Sequence, residues 1–389
     1  MRFTTAAALV ALGLAGTARA QATPDTTAPA APAAPAAPTS PTVDAAAPAP
    51  APKAATPKTV VSGKIYADYT YRQNMDDGRD VSADKGVGTS LDVKRFYLGV
   101  DHTFDEVWRA RIRTDIGNLT NGKFDVFVKH AYLEAKVAPE LGVKAGAADL
   151  PWVPFVEDLY GFRYVENVLT DRVKLATSAD WGLHAGGKLA GGLVDYAVSA
   201  VNGRGYGDPT RTRAPAVEAR LALVPVKGLT LAVGGQTGYL GQNVVGTATP
   251  NKAQRADALV AWVGGGARVG VSGFVAKNYD KAIVTGTAPT DKAIGGSAWA
   301  SYEIVPALTL FARADYVQPK KDTSSDLKDV YVNGGIQYEP VKPVDLALVY
   351  KREQVKSGTL STSNGTIGST VAGEKGTYDE VGLFAQLSF

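Results

Sequence analysis

Residues 108–116 read WRARIRTDI, and the alternation in this stretch decides the fold. Its apolar and charged side chains have opposite parity: Trp108, Ala110, Ile112 and Ile116 are apolar, whereas Arg109, Arg111, Arg113 and Asp115 are charged. Successive side chains of a β-strand point to opposite faces, so the stretch predicts a strand with one apolar and one ionic face. The ionic face must meet water.

The same alternation recurs from Val60 to the last residue. It predicts sixteen strands, at 61–73, 91–104, 106–116, 126–138, 140–148, 181–189, 192–200, 216–224, 228–238, 256–264, 267–277, 296–304, 307–318, 329–339, 343–353 and 378–389. Short connections alternate with long, polar, Gly-rich ones, as in a meander with tight turns at one end and loops at the other. An even number of strands places both ends of this segment at the short-turn end.

The number of strands decides which face is outside. A meander of sixteen strands leaves two open edges unless the sheet closes, and a closed barrel of that size is too wide for side chains to fill. The ionic face then lines a wet lumen and the apolar face meets lipid. We therefore predict an all-β fold, a transmembrane antiparallel up-and-down β-barrel in the bacterial outer membrane, in contact with lipid and lipopolysaccharide. Trp108, Trp262 and Trp299 lie near strand ends and predict an interfacial aromatic belt.

Two segments precede the predicted barrel domain, which covers residues 60–389. Residues 1–20 combine Arg2, a short apolar run and an Ala-Arg-Ala site, which predicts a cleaved signal peptide. Residues 21–59 are rich in Ala and Pro without apolar periodicity, which predicts a disordered periplasmic linker. A second interpretation of the linker is a tether that contacts peptidoglycan, and the sequence leaves both open.

Several stretches resemble the phosphate-selective porin (O/P type) family. They are KRFYLGV at 94–100, KHAYLE at 129–134, PWVPF at 151–155 and ADWG at 179–182. The alternating last strand, which ends on Phe389, resembles the signal that the barrel-assembly machinery reads in outer-membrane proteins. The resemblance implies a porin fold, a homotrimer, and a third long loop that folds into the barrel and narrows the pore.

The third long loop, 149–180, is also the longest connection, and it carries more acidic than basic side chains. The facing wall is predicted to be basic, because the Arg109–Arg113 ladder and Arg95 share the lumenal phase. Near the bilayer midplane each of these cations would cost about 2–4 kcal/mol in lipid. The predicted constriction residues are Arg95, Arg109, Arg111, Arg113, Glu157, Asp158, Arg163, Glu166, Arg220 and Arg313. The alternative is that these arginines pair with neighbouring carboxylates and brace the wall.

These patterns predict a porin, a passive diffusion channel for small hydrophilic solutes with a preference for anions. The family resemblance implies that this preference is of the phosphate type. The alternative is a structural or adhesive barrel that its linker tethers to the cell wall. No enzyme is expected, since none of the three His lies in a recognisable motif with a Ser. The absence of Cys and the scarcity of His argue against a metal centre or other cofactor, and a formal net charge of +3 argues against nucleic-acid binding.

Overall fold

The computed structural model describes residues 56–81, 88–120, 123–371 and 373–389. In these ranges sixteen long strands form one antiparallel sheet, which closes where β1 pairs with β16. The strands are β1 Lys58–Asp76, β2 Gly88–Thr103, β3 Trp108–Thr120, β4 Lys123–Ala138, β5 Leu141–Asp149, β6 Ala179–Leu189, β7 Val194–Val201, β8 Ala216–Val226, β9 Leu229–Gly238, β10 Ala253–Gly264, β11 Ala267–Lys277, β12 Lys292–Val305, β13 Leu308–Gln318, β14 Lys328–Val341, β15 Val344–Lys356 and β16 Lys375–Ser388. The predicted closed barrel of sixteen strands is confirmed. The predicted signal peptide and nearly all of the predicted linker lie outside the described residues.

Both ends of the barrel lie at the short-turn end. The backbone N–H of Gly63 donates to the carbonyl of Phe389 at 2.9 Å, and the N–H of Phe389 donates to Gly63 at 3.0 Å. The last residue is therefore tied into the first strand, which completes the closure.

Strands at the opposite end extend further than predicted. Residues 121–122 alone separate β3 from β4, where a loop over 117–125 was expected, and β15 continues to Lys356. The alternation marks only the part of a strand whose two faces meet different media. Backbone pairing continues beyond it. At the end of β15 the inner face carries the apolar Val355, which is buried against Ile367 and Tyr378, so apolar and polar residues no longer mark the outer and inner faces.

Apolar side chains cover the outside of the barrel. Ile112 is 59% exposed and Leu383 is 55% exposed, whereas Asp115 and Phe384, of opposite parity, are buried inside. An apolar outer surface of this extent is unfavourable in water and suits a hydrocarbon environment. The predicted orientation, apolar outside and ionic inside, is confirmed.

Within the described ranges the helices are short and lie in the connections. They are α1 Val153–Tyr160, α2 Leu169–Arg172 and α3 Lys281–Val284, with one 3-10 turn at Ala190–Gly192. A further two-stranded hairpin, Thr359–Thr362 with Gly365–Gly368, lies in the last long loop.

Among the described residues no helix combines the length and apolar character needed to cross a membrane.

Candidate functional site: the lumen and its inward-folded loop

The connection between β5 and β6, residues 150–178, folds into the barrel. It is called the constriction loop below. Prolines near the start of α1 fix helical backbone angles, and Gly161 ends the helix in the left-handed region at a φ of 82°. The apolar residues Val153, Val156 and Tyr160 of α1 are at most 3% exposed. The third long loop therefore folds into the barrel, as the family resemblance implies.

Aromatic contacts attach this loop to the lumenal face of the wall. The ring of Tyr160 packs edge-on against Trp299 at a centroid distance of 5.9 Å, and Phe162 stacks on Phe311 at 4.3 Å. Trp299 is 6% exposed and faces the lumen, so its predicted place in an outer aromatic belt is wrong. Trp299 shares parity with Ser297 and Ser301, which could have shown its orientation. Trp108 and Trp262 do lie outside, at 44% and 42% exposure.

A buried guanidinium fixes the end of the constriction loop. Arg172 of α2 is 0% exposed and donates to Asp315 at 2.9 Å, Asp329 at 2.6 Å and Glu353 at 2.6 Å. These three carboxylates belong to β13, β14 and β15. At this place the loop therefore supplies the cation and the wall supplies the anions. The sequence did not indicate this distribution of charge.

Two of the predicted site residues also hold the loop. Arg220 donates to the carbonyl of Pro151 at 2.9 Å and to Asp195 at 2.7 Å. Arg313 donates to the carbonyl of Asn167 at 2.6 Å and to Asp315 at 2.8 Å. Both guanidinium groups lie in the lumen, where each takes part in the contact between loop and wall.

Glu166 lies on the other side of the loop, below the hairpin 359–368. Its carboxylate accepts a hydrogen bond from Ser363 at 2.7 Å and lies 3.6 Å from the ammonium of Lys351. The backbone N–H of Ser363 donates to the carbonyl of Arg172 at 2.8 Å. A second loop therefore folds inward and rests on the first. Its polar, Gly-rich sequence gave no sign of this.

The arginine ladder is divided between bracing and free positions. Arg95 donates to Asp115 at 2.9 Å, and Arg111 pairs with Asp101. Arg109 is exposed near the short-turn end, opposite Thr103 in the register. Arg113 forms no ion pair within the described ranges and lines a cavity beside the constriction loop. Among the described residues Arg95 and Arg111 therefore have carboxylate partners, whereas Arg109 and Arg113 have none.

That cavity, of about 470 Å³, is bounded by the constriction loop and by the wall formed by β16 and β1–β5. Its charged lining comprises Lys64, Arg113, Lys129, Asp149, Glu157, Asp158 and Arg163. Arg163 donates to Glu157 at 2.5 Å and lies 3.7 Å from Asp171. The lining also includes Ser388 and Phe389 at the end of β16, so the cavity extends from the constriction loop toward the short-turn end of the barrel.

β-Bulges add two lysines to the lumen. In β4 the register shifts between the pairs Arg113–His130 and Thr114–Val128, which leaves Lys129 without a partner in β3. The ammonium of Lys129 lies 4.7 Å from the centroid of the Tyr97 ring, inside the barrel.

The bulge in β2 acts in the same way on Lys94, whose ammonium lies 3.2 Å from Asp68 and 3.0 Å from Asp92. A bulge turns two consecutive side chains to one face. Strict alternation placed both lysines on the lipid side. The cost of a lysine in lipid was the signal that could have revealed the bulges.

Two of the three histidines, His130 and His184, form polar contacts inside the barrel. Nδ1 of His184 and Oγ of Ser199 are 2.8 Å apart, a contact that no sequence motif indicated. Both side chains are buried in the wall, neither lines the cavity, and Nε2 of His184 faces the carbonyl of Gly146 at 3.3 Å. His130 pairs with Asp149 at 2.8 Å. Within the described ranges no cluster of three or more His, Cys, Asp or Glu side chains is arranged to hold a metal ion.

Solved structures with the same architecture include outer-membrane channels. An anion-selective porin from Comamonas acidovorans is 11% identical, with a TM-score of 0.59 over 85% of this chain and 100% of that one. The outer membrane channel DcaP of Acinetobacter baumannii is 14% identical, with a TM-score of 0.55 over 86% and 97%. OmpT, an outer membrane protein of Vibrio cholerae in its trimer form, is 13% identical, with a TM-score of 0.55 over 84% and 100%. No protein-family model matches the sequence, and no curated protein matches it.

At these identities the similarity shows the fold. The closed sheet of sixteen strands, its apolar outer face and its inward-folded third loop define a β-barrel of the bacterial outer membrane with porin architecture.

Proposed function

We propose that this protein is a porin, a passive diffusion channel for small hydrophilic solutes. One observation carries the proposal: the lumen of a closed, lipid-facing barrel is lined by ionic side chains and narrowed by a loop that leaves a cavity of about 470 Å³. A hydrophilic solute keeps polar partners along such a path, whereas an apolar solute gains none. No catalytic role is assigned to the buried Ser199–His184 pair.

Flux into liposomes tests the proposal. Vesicles that contain the purified barrel should swell in isotonic sugar solutions, faster for a pentose than for a disaccharide. Vesicles that contain heat-denatured protein are the control. Equal swelling rates with native and denatured protein would refute a diffusion channel.

A phosphate-type preference for anions is the finer part of the proposal. Lys64 and Arg113 line the cavity without an ion pair among the described residues, and Lys129 faces aromatic rings, so cationic charge is available to a passing anion. The variant Arg109→Gln/Arg111→Gln/Arg113→Gln should lower the chloride preference in a KCl gradient. Unchanged reversal potentials would leave these arginines with the bracing role alone.

Export, membrane assembly and the oligomeric state are also matters of proposal. We propose cleavage after residue 20, a linker over 21–59 that spaces the barrel from the cell wall or contacts peptidoglycan, and recognition of Phe389 by the barrel-assembly machinery. A homotrimer in a membrane with lipopolysaccharide is proposed as well, and the trimer form of the Vibrio cholerae protein supports it. Cross-linking in detergent distinguishes trimer from monomer.

A further inference from the structure

Two fixed and unpaired charges of opposite sign border the cavity beside the constriction loop. Arg113 on β3 and Asp158 on α1 both line it, and neither side chain forms an ion pair in the described part of the chain. The other side-chain carboxylates of the cavity have partners, since Glu157 accepts from Arg163 and Asp149 pairs with His130. Among these side chains Asp158 is thus the carboxylate that is open to a ligand.

The side chain of Arg113 lies against Gly99 of the neighbouring strand β2, which has no side chain to fill this space. A Cβ added to Gly99 would lie 3.3 Å from Nε of Arg113 and 3.2 Å from Oγ of Ser62. The guanidinium therefore lies across the bare backbone of β2, directed toward β1. Lys64 of β1 also lines the cavity, and its charge interacts with those of Arg113 and Asp158.

The aspartate is held on the loop from the opposite wall. Nη1 of Arg268 on β11 donates to the carbonyl oxygens of Asp158 at 2.9 Å and of Leu159 at 3.2 Å. These carbonyl oxygens lie in the last turn of α1, where no following N–H group of the helix donates to them. A cation at this end fixes the position of the helix, while the carboxylate of Asp158 remains exposed.

We propose that this cavity is a binding subsite for small zwitterions that carry one carboxylate and one ammonium group. The inference rests on the proposed channel and names a solute class for it. The carboxylate binds on the side of Arg113 and Lys64, and the ammonium binds Asp158. A simple anion gains the first contact but meets the charge of Asp158, and a simple cation gains the second but meets Arg113. A zwitterion alone satisfies both fixed charges.

Single-channel blockade tests the subsite. The probes are glycine, 4-aminobutyrate and 6-aminohexanoate, each compared with the carboxylate and the amine of the same chain length. At least one zwitterion should reduce the KCl current at a concentration about fivefold lower than either matched compound, as an added ion pair at a partly exposed site would give. Equal blocking concentrations within all three sets would overturn the inference.

Variants separate the two contacts. Asp158→Asn should remove the advantage of the zwitterion over the matched carboxylate, and Arg113→Gln should remove its advantage over the matched amine. Asp208→Asn, which changes a partly exposed carboxylate outside the cavity, should leave both advantages intact. An undiminished advantage in Asp158→Asn would refute the assignment. Normal KCl conductance without any preference for zwitterions refutes the subsite and leaves the channel standing, whereas absence of conductance refutes both.

Discussion

Replacement of Arg172 by Met should release the constriction loop from the wall. The side chain is completely buried and makes three charge-assisted hydrogen bonds of 2.6–2.9 Å to carboxylates of the wall. Removal of one partner from a buried ionic cluster costs about 3–5 kcal/mol, because the remaining charges lose their compensation. Each 1.4 kcal/mol is a factor of ten, so the undocked loop should become roughly a hundred to several thousand times more populated.

Hydrogen exchange of the loop amides in detergent micelles measures this change. The N–H groups of Val173 and Leu175 donate within the loop, to Leu169 and Thr170, and should exchange faster in Arg172→Met by the same factor as the undocked population rises. The amides of β3, a strand of the wall that supplies no partner to Arg172, are the internal reference.

A surface ion pair provides the matched control. Arg204 pairs with Asp208 at 2.7 Å in an outer loop, where both side chains are partly exposed. Arg204→Met should change stability by less than about 1 kcal/mol. A less than tenfold change in exchange of the constriction-loop amides in Arg172→Met would refute the anchoring role of this cluster.

Three other perturbations have defined outcomes. Burial raises the pKa of Asp171 to about 6, although the nearby charge of Arg163 lowers it. The preference for chloride should therefore increase as the pH falls from 7 to 5, because this carboxylate becomes neutral. Asp171→Asn should show the low-pH reversal potential at every pH, and a wild-type pH curve in that variant would contradict the assignment. Gly182→Ala should destabilise the barrel by about 1–3 kcal/mol, since the added Cβ meets the carbonyl oxygen of Ala200 at 2.1 Å, whereas Gly207→Ala, with open space around it, should not change the melting temperature. Deletion of 359–368 should increase single-channel conductance, because the hairpin occupies the lumen above the constriction loop, and an unchanged conductance would place that hairpin outside the ion path.

The sequence predicts those features that the bilayer imposes. Lipid requires an apolar face and water tolerates an ionic one, so the alternation seen at Ile112 and Arg113 recurs along the wall, apart from the bulges at Lys94 and Lys129, and identifies all sixteen strands. Strand ends beyond the membrane are not under this constraint, so the alternation does not predict that β15 extends to Lys356.

The interior was harder to predict, because its contacts join residues far apart in the chain. Nothing near Arg172 in the sequence indicates that Asp315, Asp329 and Glu353 will surround it, since that depends on the course of the constriction loop. Parity also fails at a bulge, as for Lys129. The free charge of Arg113 and the paired charge of Arg111 are likewise indistinguishable in the sequence, since both share one face of β3.

Conductance across a planar bilayer tests the central claim most directly. Purified barrel that migrates as folded protein before heating should produce uniform stepwise increases in KCl current, because the ionic lumen holds water past the constriction loop. Insertion of the folded protein into the bilayer without any such steps would contradict the claim that this barrel encloses an open aqueous path.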